Sequence, residues 1–514
     1  MIKYLLRRLA SSLVVMIIVT FILYVLTDLA IDPLADLRES TSPSKEQDIA
    51  NRIALLNLDV PSPVRYLWWL GGVGSCVIGR CDLGLAWKTN QQVTDMLPAA
   101  VGTSLKLVFA ATIIAIILGV FVGLVSALRQ YTSFDYVITF ITFLMYSLPV
   151  FWVAVLLKQY GSIGFNNYLQ NPQTNWPLII IAAVVLGLFW MGAMGGSMRR
   201  RLINFAAALV ITLAVLIFIF TTGWLNNPGI GIVGSLVLSL AGAVVTTLLS
   251  TGLENRRALY ASLTTAVVMG GVIYYAMQWY YHFFNPTVWL IIAFTVLAVL
   301  AGMAIGLAFG GPDKWQSART TGIVGLISGV IIFIDQAMQY WGQYSKLSQI
   351  SGRPIRTIGA SEPGLQGNFW IHTLDTYTHL LLPSIALILI SFATYTRYTR
   401  GSMLEVMNQD YIRTARAKGL NERTVIMRHA MRNALLPLAS IVPVDVMSII
   451  GGAVMTETVF GWAGMGKMFS DSLENADINP LMAYILITGL LAIAANLVAD
   501  LVYGILDPRI RVTA

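Results

Sequence analysis

Runs of about twenty consecutive apolar residues recur along the whole of this chain, and that recurrence limits its fold more than any other feature. A bilayer interior holds no water to hydrogen-bond exposed amides, so such runs cross it as helices that satisfy their own backbone. Twelve runs are legible, at approximately 9–30, 100–127, 136–157, 177–196, 202–222, 229–250, 258–279, 287–309, 320–341, 377–396, 438–456 and 481–503. Composition agrees: 57% of residues are apolar and only 11% charged, where a soluble domain carries roughly 25% charged residues. The chain therefore reads as an all-α polytopic membrane protein. The first run, Leu9 to Ala30, follows a basic start and resembles a secretory signal, but its apolar core is too long and no small-x-small cleavage site closes it. It is read as a retained signal-anchor helix.

Cationic loops resist translocation, so lysine and arginine placement orients the spans. With the N-terminus inside, the inside segments collect Lys3, Arg7, Arg8, Arg129, Arg199 to Arg201, Arg256, Arg257, Lys314, Arg319, the cluster from Arg397 to Arg432, Arg509 and Arg511. Both termini and the basic loop 397–437 are thus expected in the cytoplasm. The net charge of +8 is a topology signal, and no nucleic-acid partner is expected. Cys76 and Cys81 fall in the long outside segment 31–99, where oxidising conditions favour a local disulfide; two free thiols in a tight turn are the alternative. Without histidines nearby the pair cannot complete a tetrahedral metal shell.

The basic loop has the marks of a docking element. Tyr411 to Lys418 lacks helix breakers, Ala415 and Ala417 leave room for a partner surface, and Gly419 supplies a turn. Asn421 is placed to cap a second helix from Glu422 to Leu435, and Pro437 marks entry into the next span. Arg413 and Arg416, like Arg428 and Arg432, share a helical face able to meet acidic groups.

The stretch Arg413-Thr414-Ala415-Arg416-Ala417-Lys418-Gly419 resembles the EAA loop of ATP-binding-cassette (ABC) importer permeases, in the form carried by the dipeptide and oligopeptide permease family. Arg413-Thr414-Ala415 stands where the broader importer consensus has Glu-Ala-Ala, a departure usual in that branch. Glu457-Thr458-Val459-Phe460-Gly461-Trp462-Ala463-Gly464-Met465-Gly466 is similar to the family's ETVFGWPGLG, with Ala463 in place of proline. Cys81-Asp82-Leu83-Gly84 resembles its GDLG entry, Ser147-Leu148-Pro149-Val150-Phe151-Trp152 its SLPxFW stretch, and Leu506-Asp507-Pro508-Arg509 its LDPR ending.

The resemblance implies a six-helix type I ABC importer permease core, formed by 1–159 and 345–514, with an inserted region 160–344 of about six further transmembrane helices. An even number of inserted spans keeps the basic loop in the cytoplasm. It also implies a multi-pass subunit of the cell membrane that moves di- or oligopeptides inward. Its partners would be a second homologous permease, two cytoplasmic ATPase subunits that receive Arg413 to Gly419 as the coupling helix, and an extracytoplasmic substrate-binding protein. Glu457, Phe460, Gly461, Trp462 and Gly464 would pack at the outer gate. Asp445, ionisable and deep in a span, either faces the pathway, where it would meet a peptide N-terminus, or pairs with the other permease or water.

Two other readings are weaker. Gly461 to Met468 nearly spells a phosphate-binding loop, but Met468 stands where Ser or Thr must hold Mg²⁺, and no strand precedes it. With His282, His372, His379 and His429 scattered, no catalytic constellation, cofactor or metal site is expected, and ATP hydrolysis is assigned to partner subunits. A stand-alone secondary carrier of twelve spans is the alternative function; such carriers usually show internal repeats and charged midplane helices, and neither is evident. Within the inserted spans Asp335 is the single acid, expected to snorkel or pair locally.

Overall fold

The computed structural model describes residues 2–311 and 313–506, with Pro312 and the Asp507–Arg509 part of the closing motif outside the described residues. Among the described residues ten helices are long and apolar enough to cross a bilayer, and two sharply bent helix pairs bring the number to twelve if each pair is one span. Strand is confined there to a two-residue hairpin, Leu85–Ala86 against Gln91–Gln92. The all-α polytopic class holds.

The third expected span is not one straight helix. Ser133–Ser147 ends at Leu148 and Pro149, both extended, and Val150–Gln170 leaves at 100°. Proline donates no amide and disfavours helical geometry at the residue before it, so the Ser-Leu-Pro sequence is the break. The continuation runs through the expected boundary at 159/160 without interruption, with a π-helical segment at Leu157–Gly164. The fifth core span likewise divides, into Leu436–Gly452 and Val454–Phe460 around Ala453.

The centre of the molecule is the pairing of Val93–Leu128 with Phe369–Met407. Between apolar helices in lipid no hydrophobic gain drives association, so close van der Waals approach over small residues holds them together. Gly119 and Gly123 occupy that seam four residues apart: a Cβ on Gly119 would lie 2.6 Å from the Tyr395 Cβ, and one on Gly123 2.6 Å from the Thr396 carbonyl oxygen. At 39 residues, Phe369–Met407 is about 58 Å long, enough to protrude beyond both membrane faces. Its C-terminal end carries the basic loop directly.

Six further helices lie between Trp176 and Gln339. Trp176–Met194 and Met198–Thr222 form a hairpin against Ser133–Ser147, while Gly231–Ser250, Arg256–Phe283, Val288–Ala308 and Lys314–Gln339 form a bundle. The same small-residue device closes the bundle: a Cβ on Gly302 would meet the Thr321 carbonyl oxygen at 2.4 Å, and one on Gly306 the Ala318 Cα at 2.7 Å. Asp335 does not snorkel. It is fully buried and accepts from the Ile230 and Gly231 amides at 2.6 and 2.9 Å, from the Tyr274 hydroxyl at 2.7 Å and from Gln339 at 3.1 Å. The acid therefore ties the start of Gly231–Ser250 to two other helices, where sequence alone suggested a local contact. A single apolar cluster then joins the bundle to the start of Phe369–Met407 and the end of Val454–Phe460, through Tyr281, Trp341 and Tyr344 against Trp370, Phe460 and Trp462.

Candidate functional site

The basic loop folds as a short helix, Asp410–Ala417, followed by a turn and a second helical stretch from Glu422 to Ala434 that is π-helical over Val425–Ala430. Gly419 makes the turn at φ +75°, in the left-handed region that other residues occupy only at a cost. The Asn421 side chain accepts from the Thr424 amide at 2.8 Å, capping the second stretch. Ile412 and Ala415 point inward and pack with Met403, Val425, Ala430 and Ala434. Ala415 is thus part of the loop's own core and offers no surface to a partner, which corrects the expectation from sequence. Tyr411, Arg413, Thr414, Arg416, Ala417, Lys418, Gly419 and Leu420 are exposed.

The arginines are partly occupied at home. Arg416 donates to Glu422 at 2.7 Å across the turn, a contact that draws the Glu422 carboxyl below its ordinary range, and Arg413 reaches Asp410 at 3.4 Å. Arg413 and Lys418 remain the cationic groups at the exposed edge. The two helices of the loop are joined by the Tyr411 hydroxyl, which accepts from Asn433 at 2.8 Å, and the loop is tied to Phe369–Met407 by Ser402, which donates to the Ala434 carbonyl at 2.8 Å.

Just above the loop is a pair that sequence reading missed. Arg400 donates to both oxygens of buried Asp135, at 2.7 and 2.9 Å, and Ser126 donates to the same carboxylate at 2.5 Å. Three helices are pinned by this one group at the ends nearest the basic loop. The available signal was a lone acid at the start of the expected run 136–157, with Arg397 and Arg400 closing another.

On the opposite face, the Glu457–Lys467 stretch turns back on itself. Glu457 is 1% exposed, and its carboxylate accepts from the Gly466 and Lys467 amides at 2.7 and 3.1 Å and from the Ser104 hydroxyl at 2.5 Å. Ser104 in turn accepts from the Met465 amide at 2.8 Å. These are the unsatisfied donors at the start of Met465–Glu474, so the acid serves as a remote cap for that helix. The glycines of the motif are explained by space and backbone: a Cβ on Gly464 would lie 2.5 Å from the Glu457 carboxyl carbon, and one on Gly466 2.4 Å from the Val454 Cα. Gly461 sits at φ +60°. Phe460 and Trp462 are buried among Trp370 and its neighbours, so they are packing groups of the folded turn. Lys158 donates to the Val459 carbonyl at 2.8 Å, a contact invisible in the sequence because the partners are far apart in the chain.

Asp445 lies on the Leu436–Gly452 helix beside the Tyr395 hydroxyl of Phe369–Met407. It is therefore turned toward a core helix of its own chain. Cys76 and Cys81 are joined in a disulfide at the end of Ser62–Ser75. Next to that loop, Asp82 accepts from the Gly84 amide at 2.9 Å, and Asn479 donates to the Leu85 carbonyl at 2.9 Å, docking the GDLG-like turn on the last span. Among the described residues no group of acids, histidines and cysteines is placed to hold a metal ion.

Comparison with known families gives two matches that cover most of the chain. Residues 200–512 match the binding-protein-dependent transport system inner membrane component, and residues 1–108 match the N-terminal region of membrane components of such systems. The chain is similar to an oligopeptide transport system permease protein of Mycobacterium tuberculosis, 34% identical over 226 residues, which is 44% of this chain and 69% of the relative. It is also similar to an oligopeptide permease of Bacillus subtilis, 47% identical over 144 residues (28% of this chain, 46% of the relative). A dipeptide permease of Escherichia coli is 44% identical over 148 residues (29% and 42%).

Proposed function

The chain belongs to the family of binding-protein-dependent transport system inner membrane components, and from that premise we propose that it is a permease subunit of an ATP-driven importer of short peptides. The relatives named as dipeptide and oligopeptide permeases support the substrate class. The observation that carries the mechanism is the Asp410–Ala417 helix. It rests on Ile412 and Ala415 and exposes Arg413, Thr414, Ala417 and Lys418 at the end of the longest core helix. A nucleotide-hydrolysing subunit that grips this short helix moves Phe369–Met407 with it, because Arg400 and Asp135 lock the inner ends of three core helices together. The ligand that biases the permease between inward and outward states is then the partner's own closure, through contacts that differ between the two states.

In this reading both termini are cytoplasmic, ATP is hydrolysed by two companion subunits and not by this chain, and a second related permease completes the pathway. A binding protein delivers peptide to the outer face, where the Glu457-capped turn and the Gly461–Gly464 backbone form the gate. Residues 160–344 are an insertion into a six-span core, and Asp445 lines the pathway side of Leu436–Gly452.

Affinity purification of the full chain with and without Gly419→Asp tests this. Companion ATPase chains recovered with the wild type, peptide-stimulated ATP hydrolysis in the eluate, and loss of both in the variant are the expected results. Wild-type chain that purifies alone in gentle detergent, with no ATPase after partner coexpression, would overturn it.

A further inference from the structure

On the cytoplasmic side the six-helix region and the basic loop enclose a cleft between them. Its volume is about 830 Å³, and it is lined by Leu249 at the end of Gly231–Ser250, by Thr251 and Asn255 in the turn after it, by Asp313, Trp315 and Arg319 around the start of Lys314–Gln339, and by Arg428 of the coupling loop, among others. The lining is divided by chemistry. Leu249 and Trp315 are 54% and 59% exposed at the ends of two long apolar helices, positions that suit aromatic and aliphatic groups facing acyl chains and glycerol. Arg319 and Arg428 line the cleft from two different parts of the fold against the single acid Asp313, and neither forms an ion pair with a carboxylate among the described residues. Thr251 and Asn255 add short polar groups beside them.

An apolar edge at membrane depth beside two cations is the form of a site for a phosphate group carrying a lipid tail. Basic pockets between helices on the cytoplasmic side take anionic headgroups for this reason. We propose that this cleft binds the phosphate of an anionic phospholipid, bridging Arg319 of the inserted region and Arg428 of the coupling loop. The insertion then supplies half of a lipid site whose other half moves with the coupling loop. The proposal rests on the cytoplasmic placement of that loop, and lipid binding is read without ATPase or peptide, so its failure is separable from failure of the transport reading.

The test uses the full chain in nanodiscs of phosphatidylcholine doped with photo-crosslinkable phosphatidylglycerol, with labelled peptides mapped by mass spectrometry. Saturable labelling within 249–255, 315–319 and 424–428 is expected. Each of Arg319→Gln and Arg428→Gln should raise the half-saturating lipid fraction about fivefold, and the double variant about thirtyfold. Arg199→Gln with Arg200→Gln, which removes the same charge elsewhere on that face, should leave labelling unchanged. Labelling spread along all helices and insensitive to the double variant would overturn the proposal. So would saturable binding of inorganic phosphate by the chain in phosphatidylcholine nanodiscs, lost in the double variant, together with no saturable lipid labelling, which would make the occupant a soluble anion. Loss of copurifying ATPase with lipid labelling intact in the double variant would overturn it too, by assigning the arginines to the protein partner. Monodisperse elution of each variant controls for folding.

Discussion

Replacing Glu457 should unfasten the outer turn by an amount the geometry fixes. One carboxylate oxygen, Oε2, accepts from the Gly466 and Lys467 amides at 2.7 and 3.1 Å; the other, Oε1, accepts from Ser104 at 2.5 Å. Glu457→Ala strands two buried amides at about 1–3 kcal/mol each and leaves a small cavity, so a local cost of about 3–4 kcal/mol is expected. Glu457→Gln is different. Its amide oxygen can take the Oε2 position and keep both amides, while its NH₂ faces a serine hydroxyl able to rotate and accept, and the cost falls to about 1 kcal/mol. Hydrogen exchange of the peptide covering Met465 to Lys467 is the assay. At 1.4 kcal/mol per tenfold, exchange should quicken about 100- to 1,000-fold in Glu457→Ala and about fivefold in Glu457→Gln. Unchanged exchange in the alanine variant, or equal effects of the two, would refute the capping argument.

Other expectations follow from the same contacts. Asp477, 4% exposed, has its carboxyl pushed up to about 6 by burial. A raised carboxyl favours the folded state while neutral, so this contribution is present below about pH 4 and lost as pH rises through about 6, on the order of 2–3 kcal/mol; thermal scans across that window should show a slope that Asp477→Asn flattens. Gly123→Ala places a methyl 2.6 Å from the Thr396 carbonyl oxygen and should cost about 1–3 kcal/mol in detergent unfolding. Asp135→Ala strands the Arg400 guanidinium, should cost about 3–5 kcal/mol, and should lower peptide-stimulated ATP hydrolysis in the assembled complex. Asp335→Ala should release the Gly231–Ser250 helix end, read as faster proteolysis at 223–231 with the 93–128 and 369–407 peptides still protected.

Much of this molecule was legible because lipid allows so few backbone solutions. Ten of the twelve runs became long helices, while the run 136–157, read as one span, became a pair broken at Leu148-Pro149. Asn421 as a cap and Gly419 as a turn are local features, written in residues that touch their own neighbours, and both are found in the fold. The loop's inward face was misjudged because Ala415 and Ala417 are alike in sequence, and only the packing of Ile412 against Val425 and Ala430 shows which of them turns inward.

The sequence by itself therefore determined the solvent, the all-α polytopic class and the family, since each depends on composition or on residues close together in the chain. Only tertiary structure decided which charged groups hold the fold. Asp135 meets Arg400, Glu457 meets Ser104, and Lys158 meets Val459 across hundreds of residues. A buried charge is tolerated only where donors converge on it, and that convergence belongs to how helices pack, which no short stretch of the chain encodes.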